Sequence, residues 1–261
     1  MNSDRLKHRR RRGGFILYAV ALLLAARGDS ARGAIDRALV VARHNVVHRS
    51  ADARHFLQVG NGNFAFALDV TGLQTLDRTF EGAIPLHTMS NWGWHSFPNA
   101  GGYRYEQTLT DFDVAGRAVS YADKQNSPAG EYFRANPHRF NLARIGLWWE
   151  GQDAAGAGAA DREAFTQIEQ RLDLWSGVAT SHFMFRGEPV TVTTVAHPQR
   201  DAIAVRIESP LVASGRLGVA IRFSYPRGEW GPAVDDFEKP DEHGTVVSKS
   251  GVGGALIERT L

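Results

Sequence analysis

The chain has 261 residues, 43% apolar and 22% charged, with 27 Gly, 10 Pro and no Cys. That composition belongs to a globular protein and excludes disordered, collagenous and multi-span membrane classes. Without Cys there are no disulfides, thiolate zinc sites, iron–sulfur clusters or Cys nucleophiles. The formal net charge of +2 hides an uneven distribution. Residues 1–33 carry eight basic and two acidic side chains, leaving 22 basic against 26 acidic in 34–261. A mildly acidic body lacks the basic face that neutralises nucleic-acid phosphates, so no nucleic-acid partner is expected.

The first predicted element is a leader. Arg9 to Arg12 precede an apolar run from Phe15 to Ala26, too short for a span of about 20 residues. A basic segment, a short apolar run and the small-x-small stretch Ala31-Arg32-Gly33 together predict a secretory signal peptide over 1–33. The expected protein is exported, periplasmic or extracellular, with no membrane association once the signal is removed. The alternative is a single N-terminal anchor.

From residue 34 onward the dominant apolar period is two. Phe64, Phe66, Leu68 and Val70 share one face of a half-buried strand. A helix is predicted only over 161–170, after the Gly/Ala loop at 154–160. Val178 to Phe185 reads as a strand ended by Arg186-Gly187-Glu188-Pro189, and Val190 to Val195 as its hairpin partner. Ile203, Val205 and Ile207 form the next strand face. Leu217, Val219, Ile221 and Phe223 form another, opposite Gly218, Ala220 and Arg222. Turn residues separate these runs. Strands spaced about 10–15 residues apart predict an all-β fold, one antiparallel sandwich domain over 34–261.

Several groups of residues carry chemistry. Asn91, Trp92, Trp94, His95 and Phe97 lie in one loop-like run. Indoles stack on the C–H faces of sugars, and Asn and His bond sugar hydroxyls, so these five are the candidate carbohydrate-binding residues. The competing reading is that the aromatics plug a gap between sheet and loop. His44 and His48 are four apart, but Val40-Val41 and Val46-Val47 favour a strand, which would separate them by about 13 Å. No Glu of a His-Glu-x-x-His pattern accompanies them, so no metal is expected. Asp235, Asp236, Glu238, Asp241 and Glu242 read as a solvated acidic loop near Trp230. Carboxylate pairs that cleave glycosides, or calcium ligands, are the alternatives. No Gly-x-Ser-x-Gly elbow is present, and Gly60-Asn61-Gly62 reads as a turn before a strand.

A set of segments then adds a resemblance. They are Val41-Ala42-Arg43-His44-Asn45, Leu57 to Phe66, Asp69-Val70-Thr71-Gly72-Leu73-Gln74 and Trp92-Gly93-Trp94-His95. Asn136-Pro137-His138-Arg139, Gln170 to Gly177, and His197-Pro198-Gln199-Arg200-Asp201 running on to Pro210 complete it. In their order and spacing these resemble the N-terminal region of bacterial glycoside hydrolases related to glycoside hydrolase family 65 and the six-hairpin glycosidases. The resemblance covers residue 40 onward. It implies a large antiparallel β-supersandwich, with a linker and an (α/α)6 barrel to follow. In such enzymes a barrel Glu protonates the leaving oxygen, and a second carboxylate activates water or phosphate attacks directly.

Nothing after residue 34 reads as such a barrel, and the sequence stops at Leu261 in a strand-like run. The expectation is therefore a substrate-cleft-supporting domain, incomplete at its C-terminal end. No catalytic residue is assigned within it, and no cofactor. Its partners are a carbohydrate substrate and the barrel of the same parent chain. A free-standing carbohydrate-binding or structural sandwich module is the alternative.

Overall fold

A computed structural model describes residues 35–76, 80, 86–152, 162–228, 235–249 and 253–261. The predicted leader and Trp230 lie outside them. The chain divides into two units, Met1–Arg43 and His44–Leu261. Among the described residues the first contains one short helix, α1 (Arg37–Ala42), begun by Asp36, whose Oδ1 accepts the Leu39 N–H at 3.0 Å. No helix among the described residues is long and apolar enough to cross a membrane.

The second unit is an all-β antiparallel sandwich. Its strands begin with β1 (Val46–His48), β2 (Leu57–Gly60), β3 (Phe64–Leu68), β4 (Thr88–Ser90), β5 (Trp94–His95), β6 (Leu109–Val114) and β7 (Arg117–Ala122). Helix α2 (Pro128–Ala135) leads to β8 (His138–Arg139), β9 (Arg144–Trp149), β10 (Phe165–Asp173), β11 (Val178–Phe185), β12 (Glu188–Ala196) and β13 (Ile203–Glu208). After the single turn α3 (Pro210–Ala213) come β14 (Leu217–Arg222), β15 (Tyr225–Pro226), β16 (Asp235–Asp236), β17 (Gly244–Lys249) and β18 (Ala255–Thr260).

One layer is a five-stranded antiparallel sheet in the order β1-β10-β11-β12-β13. Its β11 buries every second residue, Ala179, Ser181, Phe183 and Phe185, and β12 answers with Val190, Val192 and Thr194. The period-two reading holds there, and Arg186-Gly187 closes the hairpin with φ of 50° and 85°. Two positive φ values match a two-residue turn to the twist of its strands. The facing layer combines the sheet β2-β3-β4 with the pair β9-β14. Leu57, Val59, Phe64, Phe66 and Leu68 from that layer pack with Trp149, Phe165, Phe183, Phe185 and Val192 in one core.

The segment 69–76 ties the two layers together. Val70, Leu73 and Leu76 supply apolar contacts, while Asp69, Thr71 and Gln74 are buried beside them. Gln74 exchanges bonds with Ile145: its N–H reaches the Ile145 carbonyl at 2.8 Å, and its side-chain oxygen accepts the Ile145 N–H at 2.9 Å. Towards the five-stranded sheet, Gln170 Nε2 donates to the Asp69 carbonyl at 2.5 Å and Thr194 Oγ1 to the Gly72 carbonyl at 2.7 Å. Gly72 has φ +81°, and a Cβ there would lie 2.9 Å from Val192 Cγ1. Only glycine supplies both the dihedral and the clearance.

One expectation is corrected. Within the predicted 161–170, the described residues from 162 onward are not a helix: a single 3-10 turn at Arg162–Ala164 opens directly into β10. Tertiary pairing overrides the weak helical preference, because Phe165 joins the core and Gln170 bonds the opposite layer. The β10–β11 register shifts between Thr166 and Glu169, where Gln167 takes φ 51°. On β14, Leu217 is buried, but Val219 and Ile221 stand 49% and 45% exposed. Among the described residues β14 is paired on one side only, with β9, and neither Val219 nor Ile221 belongs to the core.

Candidate functional site

The aromatic run is positioned by two short strand pairs. β4 pairs with β3, Ala65 facing Met89 and Phe64 facing Ser90. A tight turn follows, with Gly93 N–H on the Ser90 carbonyl at 3.1 Å. The chain then enters β5, which pairs with β8 so that Trp94 faces Arg139 and His95 faces His138. Directly opposed residues share a face and successive residues alternate. Trp94 and Arg139 therefore lie on one side of the ribbon, His95 and His138 on the other.

The Trp94 side borders an open depression of 410 Å³ on the outer surface of the β2-β3-β4 sheet. Its floor lies across the cross-strand row Gly60, Ala65 and Met89. Gly60 is required by the hairpin itself, since a Cβ there would run into the Phe64 carbonyl. The polar groups around the floor are Gln58, Asn63, Asn91 and Arg139. Asn91 Nδ2 donates to Asn63 Oδ1 at 2.7 Å. The Arg139 guanidinium sits 4.5 Å over the Trp94 ring and donates to the Ser90 carbonyl at 2.9 Å and to Asn91 Oδ1 at 3.3 Å. Trp94 Nε1 donates to the Asn91 carbonyl at 2.8 Å. Beyond it, Trp92 Nε1 donates to Asp201 Oδ2 at 2.9 Å, and the Ser90 hydroxyl donates to the same oxygen. Trp92 and Trp94 nevertheless remain 65% and 47% exposed.

The His95 side is packed. His138 Nδ1 lies 2.8 Å from the Ala135 carbonyl, which only accepts, so that nitrogen carries the proton. His138 Nε2 then accepts from His95 Nδ1 at 3.2 Å, and the lone pair of the neutral pair falls on His95 Nε2. Burial, and then the His138 ring, lower the pKa of His95. Phe97 stands edge-on to His95 at 4.9 Å, its N–H held by Asn136 Oδ1 at 2.8 Å.

The five residues of the run thus separate. Asn91 lines the depression, Trp94 backs its guanidinium, and Trp92 stands at the adjoining strand end. His95 and Phe97 pack away from it with His138 and Tyr225. Gln58, Asn63 and Arg139 were not singled out as sugar contacts in the sequence. The alternation within Leu57–Gly60 does place Gln58 outward, but Arg139 arrives from 48 residues beyond Asn91, and no local pattern announces that pairing.

The acidic cluster is not uniformly solvated. The β15–β16 pair brings Asp235 and Asp236 inside, while Glu238, Asp241 and Glu242 remain exposed. Asp235 Oδ2 lies 3.1 Å from His87 Nε2, 3.1 Å from Asn141 Nδ2 and 3.5 Å from Arg144 Nη2, and Oδ1 accepts the Ser224 hydroxyl at 3.0 Å. Burial alone would raise its pKa, but the close contact with His87 and the charge of Arg144 hold it below the ordinary carboxylate value. Four donors around one carboxylate make a joint between β9, β15 and the chain before β4. His48 stacks on His55 at 4.6 Å, and no group of three His, Asp or Glu among the described residues could hold a metal ion.

What the depression can do follows from its lining. It offers amide donors and acceptors, one fixed cation and a small apolar floor, with exposed indoles nearby. None of its ten lining residues is Asp or Glu. The acid and base that glycoside cleavage requires are therefore not in it. No protein-family model matches the chain, and no curated protein matches it.

Proposed function

We propose that this chain is the sugar-facing β-sandwich of an exported, glycoside-hydrolase-like enzyme, and that it binds carbohydrate in the depression beside Trp94. The observation that carries this reading is an open depression on an outward sheet face, floored by the row Gly60, Ala65 and Met89 and rimmed by three amides and one guanidinium, with the exposed indoles of Trp92 and Trp94 nearby. Sugar recognition uses an apolar surface for the C–H face and fixed hydrogen-bonding groups for the hydroxyls. The segments resembling family 65 enzymes support the same reading: Leu57 to Phe66 builds the floor, and Asn136 to Arg139 delivers the guanidinium. Catalytic carboxylates would belong to a barrel in the parent enzyme, not to this sandwich.

The test is calorimetric titration of the purified chain with a panel of oligosaccharides. Saturable binding is expected, lost in Asn91→Ala and Trp94→Ala and retained in His95→Ala. Absence of binding across the panel, or binding unaffected by both of the first two changes, overturns the proposal. Turnover of any glycoside by the isolated chain would contradict the placement of catalysis elsewhere.

A further inference from the structure

We infer that the depression is selective for acidic sugars, a uronic-acid carboxylate being taken by Arg139. This deepens the carbohydrate reading and rests on it. The reason is the condition of the guanidinium. Arginine has five N–H donors in a planar fork. Two hydrogen bonds, to the Ser90 carbonyl and Asn91 Oδ1, fix the position of this one, and both acceptors are uncharged. The Trp94 ring beneath it holds its plane. Arg139 makes no ion pair with a carboxylate among the described residues, unlike Arg49, Arg54, Arg206, Arg216 and Arg227.

The surroundings do not neutralise it either. Every other residue lining the depression is uncharged. Asp201 approaches the same strand end, but its Oδ2 is engaged by the Ser90 hydroxyl and the Trp92 indole rather than by Arg139. A half-buried cation, already oriented and without a counter-charge, is placed to accept a planar anion with little loss of side-chain freedom. Carboxylate matches the fork in a bidentate manner, and charge-assisted hydrogen bonds are roughly twice as strong as neutral ones. Gln58 and the amide nitrogen of Asn63 stand beside it for the hydroxyls of the same ring. A sulfate ester can also engage the fork through two oxygens, but its single charge is spread over three oxygens rather than two.

The experiment compares paired ligands on the full chain by calorimetry: oligogalacturonate and oligoglucuronate, each against its methyl-esterified form, with a sulfated galactan oligomer as a third arm. Each pair differs in the charge on the carboxyl and in one added methyl group. Binding of at least one acidic oligomer about tenfold or more tighter than its ester is expected, the scale of one charge-assisted contact. In Arg139→Gln that preference should vanish while weak binding of the ester persists. Arg139→Lys, which keeps the charge but not the fork, should recover only part of it. Equal affinity for acid and ester overturns the acidic selectivity and leaves the carbohydrate reading standing. Tighter binding of the sulfated oligomer than of either uronate overturns the carboxylate assignment. No binding of any ligand, acidic or neutral, overturns both. The wild-type comparison decides the matter even where a variant fails to fold.

Discussion

At the scale of single residues, the buried carboxylate of Asp69 dominates the electrostatics of the core. Its Oδ1 accepts the Thr71 N–H at 2.7 Å and the Thr71 hydroxyl at 2.6 Å, and its Oδ2 accepts the Leu76 N–H at 2.6 Å. Burial outweighs those bonds and pushes its pKa up to about 6. The sign follows from proton uptake. Between the unfolded value of 3.8 and about 6, the native state keeps a proton that the unfolded chain has released. Stability from this group is therefore full below that window and falls as pH rises through it, by about 3 kcal/mol. Urea unfolding midpoints should decline between pH 4 and pH 6.5 more steeply in the native sequence than in Asp69→Asn; identical slopes would contradict the shift. His95 works in the opposite direction. Its pKa is lowered from 6.5 by burial and then by the neighbouring His138. Just below pH 6.5 the unfolded chain takes up a proton that the folded ring resists, so this group's contribution falls as pH drops. Ring-proton chemical shifts should report a His95 midpoint below 6.5, and a midpoint at or above it would contradict the packed environment described for the His95–His138 pair.

Among the elements, the 69–76 segment and the β11–β12 hairpin use glycine differently, and that difference can be measured. Gly72 and Gly187 have nearly equal positive φ, 81° and 85°. A Cβ at Gly187 meets nothing within 4 Å, whereas at Gly72 it meets Val192 and Ser181 at 2.9 to 3.2 Å. Gly187→Ala should cost about 1 kcal/mol, the left-handed penalty alone. Gly72→Ala should cost about 2–4 kcal/mol, because the sandwich layers must also part. Equal losses in chemical denaturation would show that 69–76 is not clamped between layers. The same contrast bears on legibility. The β11–β12 hairpin could be read from Val178 onward because alternation and a turn signal are local. The clamp could not, since Asp69, Gly72 and Gln74 gain their partners from Gln170, Thr194 and Ile145 far along the chain. Helix α2 went unread although Ser127 accepts the Gly130 N–H and Pro128 occupies its first turn. Its eight residues bury only Ala129 and Gly130, too few to raise an apolar stripe. For the candidate site, the aromatic run was legible, but the division of that run between two faces required the β5–β8 pairing.

For the molecule as a whole, the question is what the second unit does with its uncovered strands. β14 is paired only with β9 among the described residues, and Val219 and Ile221 project from it about half exposed. Among the described residues β17 and β18 pair only with each other, with Val246, Val247 and Leu256 all more than half exposed. This hairpin is tied back by Arg259, whose guanidinium lies 4.3 Å over the Phe223 ring just past β14. Burial lowers the pKa of that arginine, and its Nε and Nη2 have no hydrogen-bond partner, so the tie is made of packing rather than of ion pairs. A two-stranded hairpin is marginal by itself in water, and open apolar edges template pairing with other chains. The isolated chain should therefore self-associate, with a weight-average sedimentation coefficient that rises with concentration. Charge at the exposed edge opposes such pairing. The double variant Val219→Lys and Ile221→Lys should sediment more nearly as a monomer, at little cost to folding because neither side chain belongs to the core. Concentration-independent sedimentation of the unaltered chain would show that these strands are not sticky edges. If self-association persisted unchanged in the double variant, the contact would have to lie elsewhere, with the β17–β18 hairpin the next surface to charge.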